Sequence, residues 1–344
     1  MRTNYPFSIE DLRSITSKYD DYEDILLEYK PHHYSIGLGV TSLCNLKCRF
    51  CYYKDPINNT STSLDFYTIK KIISSLNNLS NISFSLEGEF FCYKDFLSVL
   101  DLASLNCDSI DITTNANKLS SNIIDSLKNY PLRSVIVSID AADQKMYEYL
   151  RVGGKFDKVI SNIRALTQTL GNEIVKLYCV VSDYNISSLL KLPRLAASLG
   201  IKYIGIGQLR ENEWTLKNSI NRCKQPKLLN FLNSFYDELS KYNLTLMIEP
   251  FFANSQVMHK FVEHSHLDLV DTSPANNLCP IPWYFTSILS DGRLFACCGD
   301  ISPIKIEDYS FDGIFNHEIL RLLRWLITKQ RLPLACLKCH NICD

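Results

Sequence analysis

Six short runs rich in β-branched residues recur along the chain, with segments of helical period between them. The runs are YSIGLGVT (34–41), ISFSLE (82–87), SIDITTN (109–115), SVIVSID (134–140), VKLYCVVS (175–182) and KYIGIGQL (202–209). Between them lie DFYTIKKIISSL, NIIDSLKNY, FDKVISNIRALTQTL and ISSLLKLPRLAASLG, whose apolar residues fall three and four apart. Strand followed by helix, repeated six times, predicts βαβ units around a parallel sheet, because parallel neighbours need a long crossover. Six strands fall short of a closed eight-stranded barrel, so the expected fold is α/β with an open, partial (β/α)6 barrel like a shortened TIM barrel. Ligand sites in such sheets lie at the carboxyl ends of the strands. An amphipathic helix over 9–29 opens the chain, and the polar stretch 211–224 ends the alternation. A helix near 226–241 and a strand near 243–249 follow. The expected units are an N-terminal helical extension, 1–33, a barrel core, 34–215, a bridging segment, 216–278, and a small C-terminal domain, 279–344.

Composition narrows the class. With 344 residues, 46% of them apolar, the chain can bury a large core. Its 36 basic residues are offset by 37 acidic ones and form no long run, which argues against nucleic acid or an anionic membrane as partner. No leader pattern opens the sequence and no apolar run approaches the roughly 18 residues of a membrane span, so a cytoplasmic protein is expected. Thirteen cysteines would suggest disulfides in a short secreted chain, but here most of them gather near two places, which points to metal ligation.

The first gathering is CNLKCRFCYY, residues 44–53, directly after the first strand. Structural zinc usually takes four ligands, and neither a fourth cysteine nor a suitably spaced histidine follows before Cys92. Three thiolates on one loop suit a 4Fe-4S cluster with one iron left for an outside ligand. With Phe50 before the last cysteine, Cys44, Cys48 and Cys51 resemble the signature of the radical S-adenosylmethionine (SAM) superfamily. The resemblance implies that these three hold the cluster, and it gives roles to residues at the other strand ends. LEGEFF is similar to the family's glycine-glutamate motif, with Gly88 and Glu89 in place but Glu87 at the usual first glycine and Phe90 at the usual proline. A Glu89 carboxylate can accept from the methionine ammonium, and Gly88 permits close backbone approach. Asn115, Ser138, Arg151, Gln208 and Leu209 complete the implied SAM-binding set with Phe50. Taken singly, Asn115 and Asp140 also read as caps or turn formers.

The second gathering is the tail. Cys279 and Cys297 flank CPIPWYFTSILSDGRLFAC, which reads as a β-hairpin turning at SDGR, and CLKC adds Cys336 and Cys339. Four thiolates saturate one further 4Fe-4S cluster, a pattern that resembles the SPASM and shorter twitch extensions of radical SAM enzymes. The full SPASM extension carries more cysteines and another cluster, so the twitch type is the better match. A structural zinc at the same four cysteines is the competing reading, and Cys298 or Cys343 can replace one of them as ligand.

By resemblance, one electron delivered through the first cluster cleaves SAM, and the resulting 5'-deoxyadenosyl radical takes hydrogen from an unactivated carbon. A saturated second cluster suits electron acceptance, which makes a net oxidation the expected outcome. The implied partners are a small-molecule or peptide substrate and an electron donor such as a flavodoxin or ferredoxin. Only residues 1–33 precede the first strand, less than the peptide-recognition domain that peptide maturases often append, which favours a small substrate such as a sugar, aminocyclitol or amino acid. Two rivals stand: a redox-neutral epimerase whose hydrogen donor is Cys223 or Cys298, and a non-catalytic metal-binding scaffold. Cys92, Cys107 and Cys179 read as core. His259, His264 and His266 read as a solvated helix end or lid, with a metal site as the alternative. Trp283 and Tyr284 read as packing around the tail cluster, and Tyr52 and Tyr53 as a nucleoside border or loop packing.

Overall fold

The structure is a computed structural model that describes residues 13, 17, 33–54, 61–209, 213–218, 220–248, 279, 281–296 and 302–331. Apart from Arg13 and Ser17, the expected opening helix lies outside the described residues. So do the histidines 259, 264 and 266 and Cys297, Cys298, Cys336, Cys339 and Cys343.

The six expected strands are present as β1 (Tyr34–Leu38), β2 (Leu79–Phe84), β3 (Cys107–Thr114), β4 (Leu132–Ser138), β5 (Val175–Val181) and β6 (Tyr203–Gln208). They pair in parallel in simple chain order, and β7 (Thr245–Ile248) extends the sheet beyond β6. An order that never reverses sends every right-handed crossover to the same face, so the sheet wraps as a partial barrel rather than as a doubly wound sheet. Both faces are covered, which is why β1, β4 and β5 carry buried residues at nearly every other position and at several between.

The helices take their limits from local chemistry. In α1 (Phe66–Ser75), Asp65 caps the first turn by accepting from Thr68 N, and Ile69, Ile72 and Ile73 face the sheet. After α2 (Phe96–Ser104) and α3 (Ser121–Ser126), α4 (Gln144–Leu150) is capped by Asp143, which accepts from Met146 N. The segment 156–170 is helical as expected, as α5 (Phe156–Leu170), and ends at Gly171. The segment 186–200 divides into α6 (Ile186–Leu189) and α7 (Leu192–Ser198), because Pro193 sits in the first turn of a new helix. Two helices follow β6, the short α8 (Glu213–Lys217) and α9 (Gln225–Lys241).

The expected hairpin is formed. After a helical turn, α10 (Ile281–Tyr284), come the antiparallel β8 (Phe285–Ile288) and β9 (Arg293–Phe295), with Gly292 at φ 80° in the turn. A Cβ there would stand 2.5 Å from the Tyr309 hydroxyl, so the turn needs glycine. The hairpin joins the barrel sheet: β8 lies parallel to β1, from Ser35 opposite Phe285 to Leu38 opposite Ile288, and β10 (Ile304–Lys305) closes the edge against β9. Two helices are unassigned by the sequence reading: α11 (Phe311–Phe315), which packs on β1 where Tyr34 meets the rings of Phe311 and Phe315 at 5.2 and 4.7 Å, and α12 (Glu318–Thr328), which packs on α10. Arg324 of α12 is buried, and its guanidinium donates to the Pro282, Phe315 and Asn316 oxygens. No described helix is long and apolar enough to cross a membrane.

Candidate functional site

β1 stops at Leu38, and the chain runs through Gly39 to the cysteine loop at the carboxyl end of the sheet. Backbone bonds tie this loop to its neighbours: Ser42 N to Thr62 O at 2.9 Å, Lys47 N to Val152 O at 2.8 Å and Arg49 N to Leu150 O at 2.9 Å. Leu46, fully buried, anchors its middle. Cys44, Cys48 and Cys51 are each half-buried. Burial pushes the Cys44 thiol up to about 11; the Leu46 N–H opposes this, while Glu89, Cys51 and Cys92 add to it. Burial likewise pushes Cys48 up to about 12, against the pull of the Arg151 guanidinium and with the help of Cys51 and Cys44. Thiols that resist ionisation, as Cys44 and Cys48 do, give up their protons readily only to a group carrying compensating positive charge, and iron supplies it. Among the described residues no three His, Cys, Asp or Glu side chains converge on one ion. Cluster ligands stand wider apart, since each binds a different iron, so the donor set fits the cluster implied by the resemblance.

The end of β2 lies beside the loop. Gly88 has φ 66°, and a Cβ on it would sit 2.3 Å from Thr41 O and 2.7 Å from Leu43 O, so its role is to let this turn press against the cysteine loop. Glu89 N donates to Leu43 O at 2.8 Å, and the buried Glu89 carboxylate accepts from Thr114 Oγ1 at 2.6 Å and Asn115 N at 2.7 Å. Burial raises the Glu89 carboxyl above its ordinary range against the pull of those donors. The two departures from the family motif have local causes. Phe90 is buried and stacks on Phe84 at 4.5 Å, filling core volume. Glu87 accepts from Ser290 N at 2.5 Å in the hairpin turn, so this carboxylate joins β2 to the hairpin.

Asn115 donates from Nδ2 to Asn45 Oδ1 at 3.0 Å and towards Cys44 Sγ at 3.8 Å, while its Oδ1 accepts from Asn117 N at 2.9 Å. It therefore shapes its own turn and touches the cysteine loop at once. Arg151, just past α4, is buried and pairs with Asp140 at 2.5 Å. Burial works against its charge, but Asp140 and then Cys48 outweigh that and hold its pKa above the ordinary value. Its guanidinium carbon also lies 5.7 Å from the centre of the Phe50 ring. Asp140 caps no helix; it accepts from Val180 N at 2.7 Å and from Arg151 Nε at 2.6 Å, so it positions the arginine between β4 and β5. Leu209 is buried with Leu150 and Ile220, and Phe50 and Val180 pack against them as an apolar floor beside the loop. Ser138 is half-buried at the end of β4, and Gln208 accepts from Arg222. Val180, Ile220 and Thr114 were not singled out by sequence; Thr114 adjoins Asn115 in TTNA, but nothing in the spacing marks the other two.

The remaining cysteines divide. Cys179 is core, as expected, and Cys107 is half-buried, donating to Ala103 O and Ser109 O at 3.2 and 3.1 Å. Cys92 stands not in the core but half-buried beside Asn45, 3.7 Å from its Oδ1, close enough to Cys44 to raise that thiol. Cys223 is buried in the main apolar core, where burial and then Asp183 push its thiol up to about 12. Of the four expected tail ligands only Cys279, half-buried, is described. Tyr52 and Tyr53 meet edge to face at 5.5 Å, and Tyr284 is exposed.

Residues 38–196 match the family model of the Radical SAM superfamily. Among curated proteins, the "GTP 3',8-cyclase" of Shewanella denitrificans is 29% identical over 155 residues, 43% of this chain and 44% of that protein. The "GTP 3',8-cyclase" of Vibrio parahaemolyticus is 24% identical over 174 residues, 49% and 50% of the two chains. "Molybdenum cofactor biosynthesis protein 1" of Dictyostelium discoideum is 22% identical over 336 residues, 94% of this chain and 51% of that one. The chain spans about half the length of these curated relatives. Among solved structures, Streptococcus suis SuiB bound to the precursor peptide SuiA superposes with a TM-score of 0.61 at 16% identity, covering 84% of this chain and 64% of that one. Native anSMEcpe with bound AdoMet and a peptide gives 0.56 at 15% identity, covering 85% and 80%. These likenesses establish the shared fold.

Proposed function

Because residues 38–196 match the family model of the Radical SAM superfamily, we propose that the chain is an enzyme that reductively cleaves SAM and takes hydrogen from an unactivated C–H of a small natural-product precursor or a peptide, in a net oxidation. Bound here, a 4Fe-4S cluster and SAM would supply one-electron cleavage and a 5'-deoxyadenosyl radical. The observation that carries the reading is the convergence at one strand edge of the three-cysteine loop, Glu89 bonded through its N–H to Leu43 O, Asn115 reaching towards Cys44 Sγ, and the Arg151 guanidinium over the Phe50 ring.

In this reading Cys44, Cys48 and Cys51 hold the cluster. Glu89, fixed by Thr114 and Asn115, presents a carboxylate to the methionine ammonium. Arg151, oriented by Asp140, offers its remaining donors to the SAM carboxylate or ribose, and Phe50 with Leu209 forms the apolar floor for the base. Ser138 and Gln208 complete the polar rim. Cys279, Cys297, Cys336 and Cys339 would hold a second, saturated cluster, which would supply a site for electron acceptance, and a flavodoxin or ferredoxin would be the electron donor.

The substrate class rests on two kinds of relative. Two of the curated ones are named for a reaction on GTP, whereas two of the solved structures of this fold are titled with bound peptides. Redox-neutral epimerisation is the lesser reading; Cys223 is buried in the core, which leaves Cys298, outside the described residues, as its hydrogen donor.

Anaerobic reconstitution tests the proposal. Two clusters require about eight irons per chain and release of 5'-deoxyadenosine from SAM under reduction. About four irons with SAM cleavage would remove the second cluster, and zinc without cleavage would remove the enzyme.

A further inference from the structure

Within the stretch 211–224, read from sequence only as the polar end of the βα alternation, Trp214 and Asn218 lie against the cysteine loop. Trp214 of α8 donates from Nε1 to Cys48 O at 3.0 Å. One turn later Asn218 Oδ1 accepts from Arg49 Nη1 at 3.5 Å, and Asn218 Nδ2 donates back to Trp214 O at 2.8 Å. Consecutive residues of the loop are thus held by the two ends of one helical turn. Arg49 is fixed on its other side as well: Nε donates to Tyr149 O at 2.9 Å, and the guanidinium lies 4.4 Å above the Tyr149 ring, which stacks on Tyr184 at 4.8 Å. The same turn leads to Ile220, whose N–H donates to Thr215 O at 2.9 Å and whose side chain packs with Leu209 in the apolar floor.

We propose that Trp214 and Asn218 are positioning residues that grip Cys48 and Arg49, so that the segment after the sixth strand sets both the cluster loop and the nucleoside floor. The proposal rests on the radical SAM reading for what the loop holds, but the grip itself is a property of the protein alone. Cys48 closes a turn in which Cys51 N donates to Cys48 O at 3.4 Å, so the indole N–H shares that carbonyl and fixes the peptide from which the Cys48 thiol hangs. Partners of metal ligands that orient them in this way typically change metal affinity by about 10–100-fold when removed.

Two variants separate the N–H from the ring. Trp214→Phe removes both the donor and part of the indole, whereas β-(3-benzothienyl)alanine at position 214 keeps the shape and removes only the donor. Hydrogen exchange of the peptide spanning 44–53 in cluster-free protein reads the grip, and release of iron to a chelator from reconstituted, SAM-free protein reads its effect on the cluster. Both variants are expected to exchange faster than wild type over 47–51 and to lose iron about tenfold faster, with the reduction potential of the SAM-site cluster moved to more negative values. Unchanged exchange in both variants overturns the grip, and faster exchange with wild-type iron release and potential overturns its role as a positioning device. If wild type assembles no cluster, the radical SAM reading fails while the exchange experiment still decides the grip.

Discussion

Replacing Asp140 by Asn gives the sharpest test of how the site is built. The Asp140 carboxylate is 1% exposed and Arg151 is 9% exposed, with 2.5 Å between them, so neither charge has water to fall back on. In Asp140→Asn one amide oxygen can still accept from Val180 N, but the amide nitrogen then faces the arginine, donor against donor. Breaking a buried pair from one side leaves an uncompensated charge and costs about 3–5 kcal/mol. At roughly 2–3 kcal/mol per M, that lowers the urea midpoint by about 1–2.5 M. Far-UV circular dichroism of anaerobically purified protein reads the shift. The double variant Asp140→Asn with Arg151→Met removes both charges and is expected to recover most of the loss while losing SAM binding, because packing replaces the pair but the donor for SAM is gone. A midpoint for Asp140→Asn within about 0.3 M of wild type would refute the argument that this pair is buried and coupled.

Two further outcomes follow from single residues. Gly88→Ala forces a Cβ to 2.3 Å from Thr41 O at a left-handed backbone position, so it is expected to cost at least about 2 kcal/mol and to lower iron uptake on reconstitution; wild-type stability and iron content would contradict it. His317 caps α12 by accepting from Ile319 N through Nδ1 at 3.3 Å, and burial lowers its pKa below 6.5. A base with a depressed folded pKa binds fewer protons than its unfolded form, so stability is fully present above pH 6.5 and is lost as pH falls below it. Protonated imidazole also cannot accept the Ile319 N–H. Wild type is therefore expected to lose more stability than His317→Asn between pH 7.5 and 5.5, measured by urea unfolding; parallel pH curves would contradict this.

The sequence made the six strands legible because each is a β-branched run, and their order followed from the alternation. Strand ends were less legible where a polar residue is satisfied inside the sheet. Asn81 pushed the reading of β2 to later residues, yet its amide donates to Ser109 O and Oγ at 3.2 and 3.1 Å, so the strand starts before it at Leu79. The α12 sequence EILRLLRWLIT conceals its burial because Glu318, Arg321 and Arg324, three apart, read as the polar stripe of a surface helix, whereas Arg324 on that stripe is buried. In the site, spacing singled out Cys44, Cys48 and Cys51 as a group, and the structure places them on one loop at the end of β1. The partners that orient the site were not legible, because pairs such as Asp140 with Val180, Glu87 with Ser290 and Trp214 with Cys48 are joined by the sheet and its loops and not by sequence proximity.

The central claim is that SAM is cleaved at the loop after β1. It is tested most directly by measuring 5'-deoxyadenosine released from SAM by the reduced, reconstituted protein and by its Cys44→Ala/Cys48→Ala/Cys51→Ala variant under the same conditions. The account predicts 5'-deoxyadenosine from wild type and none above background from the variant, even where the variant retains the tail cluster. Equal release by both proteins, or none by a wild type that has taken up its iron, would contradict it.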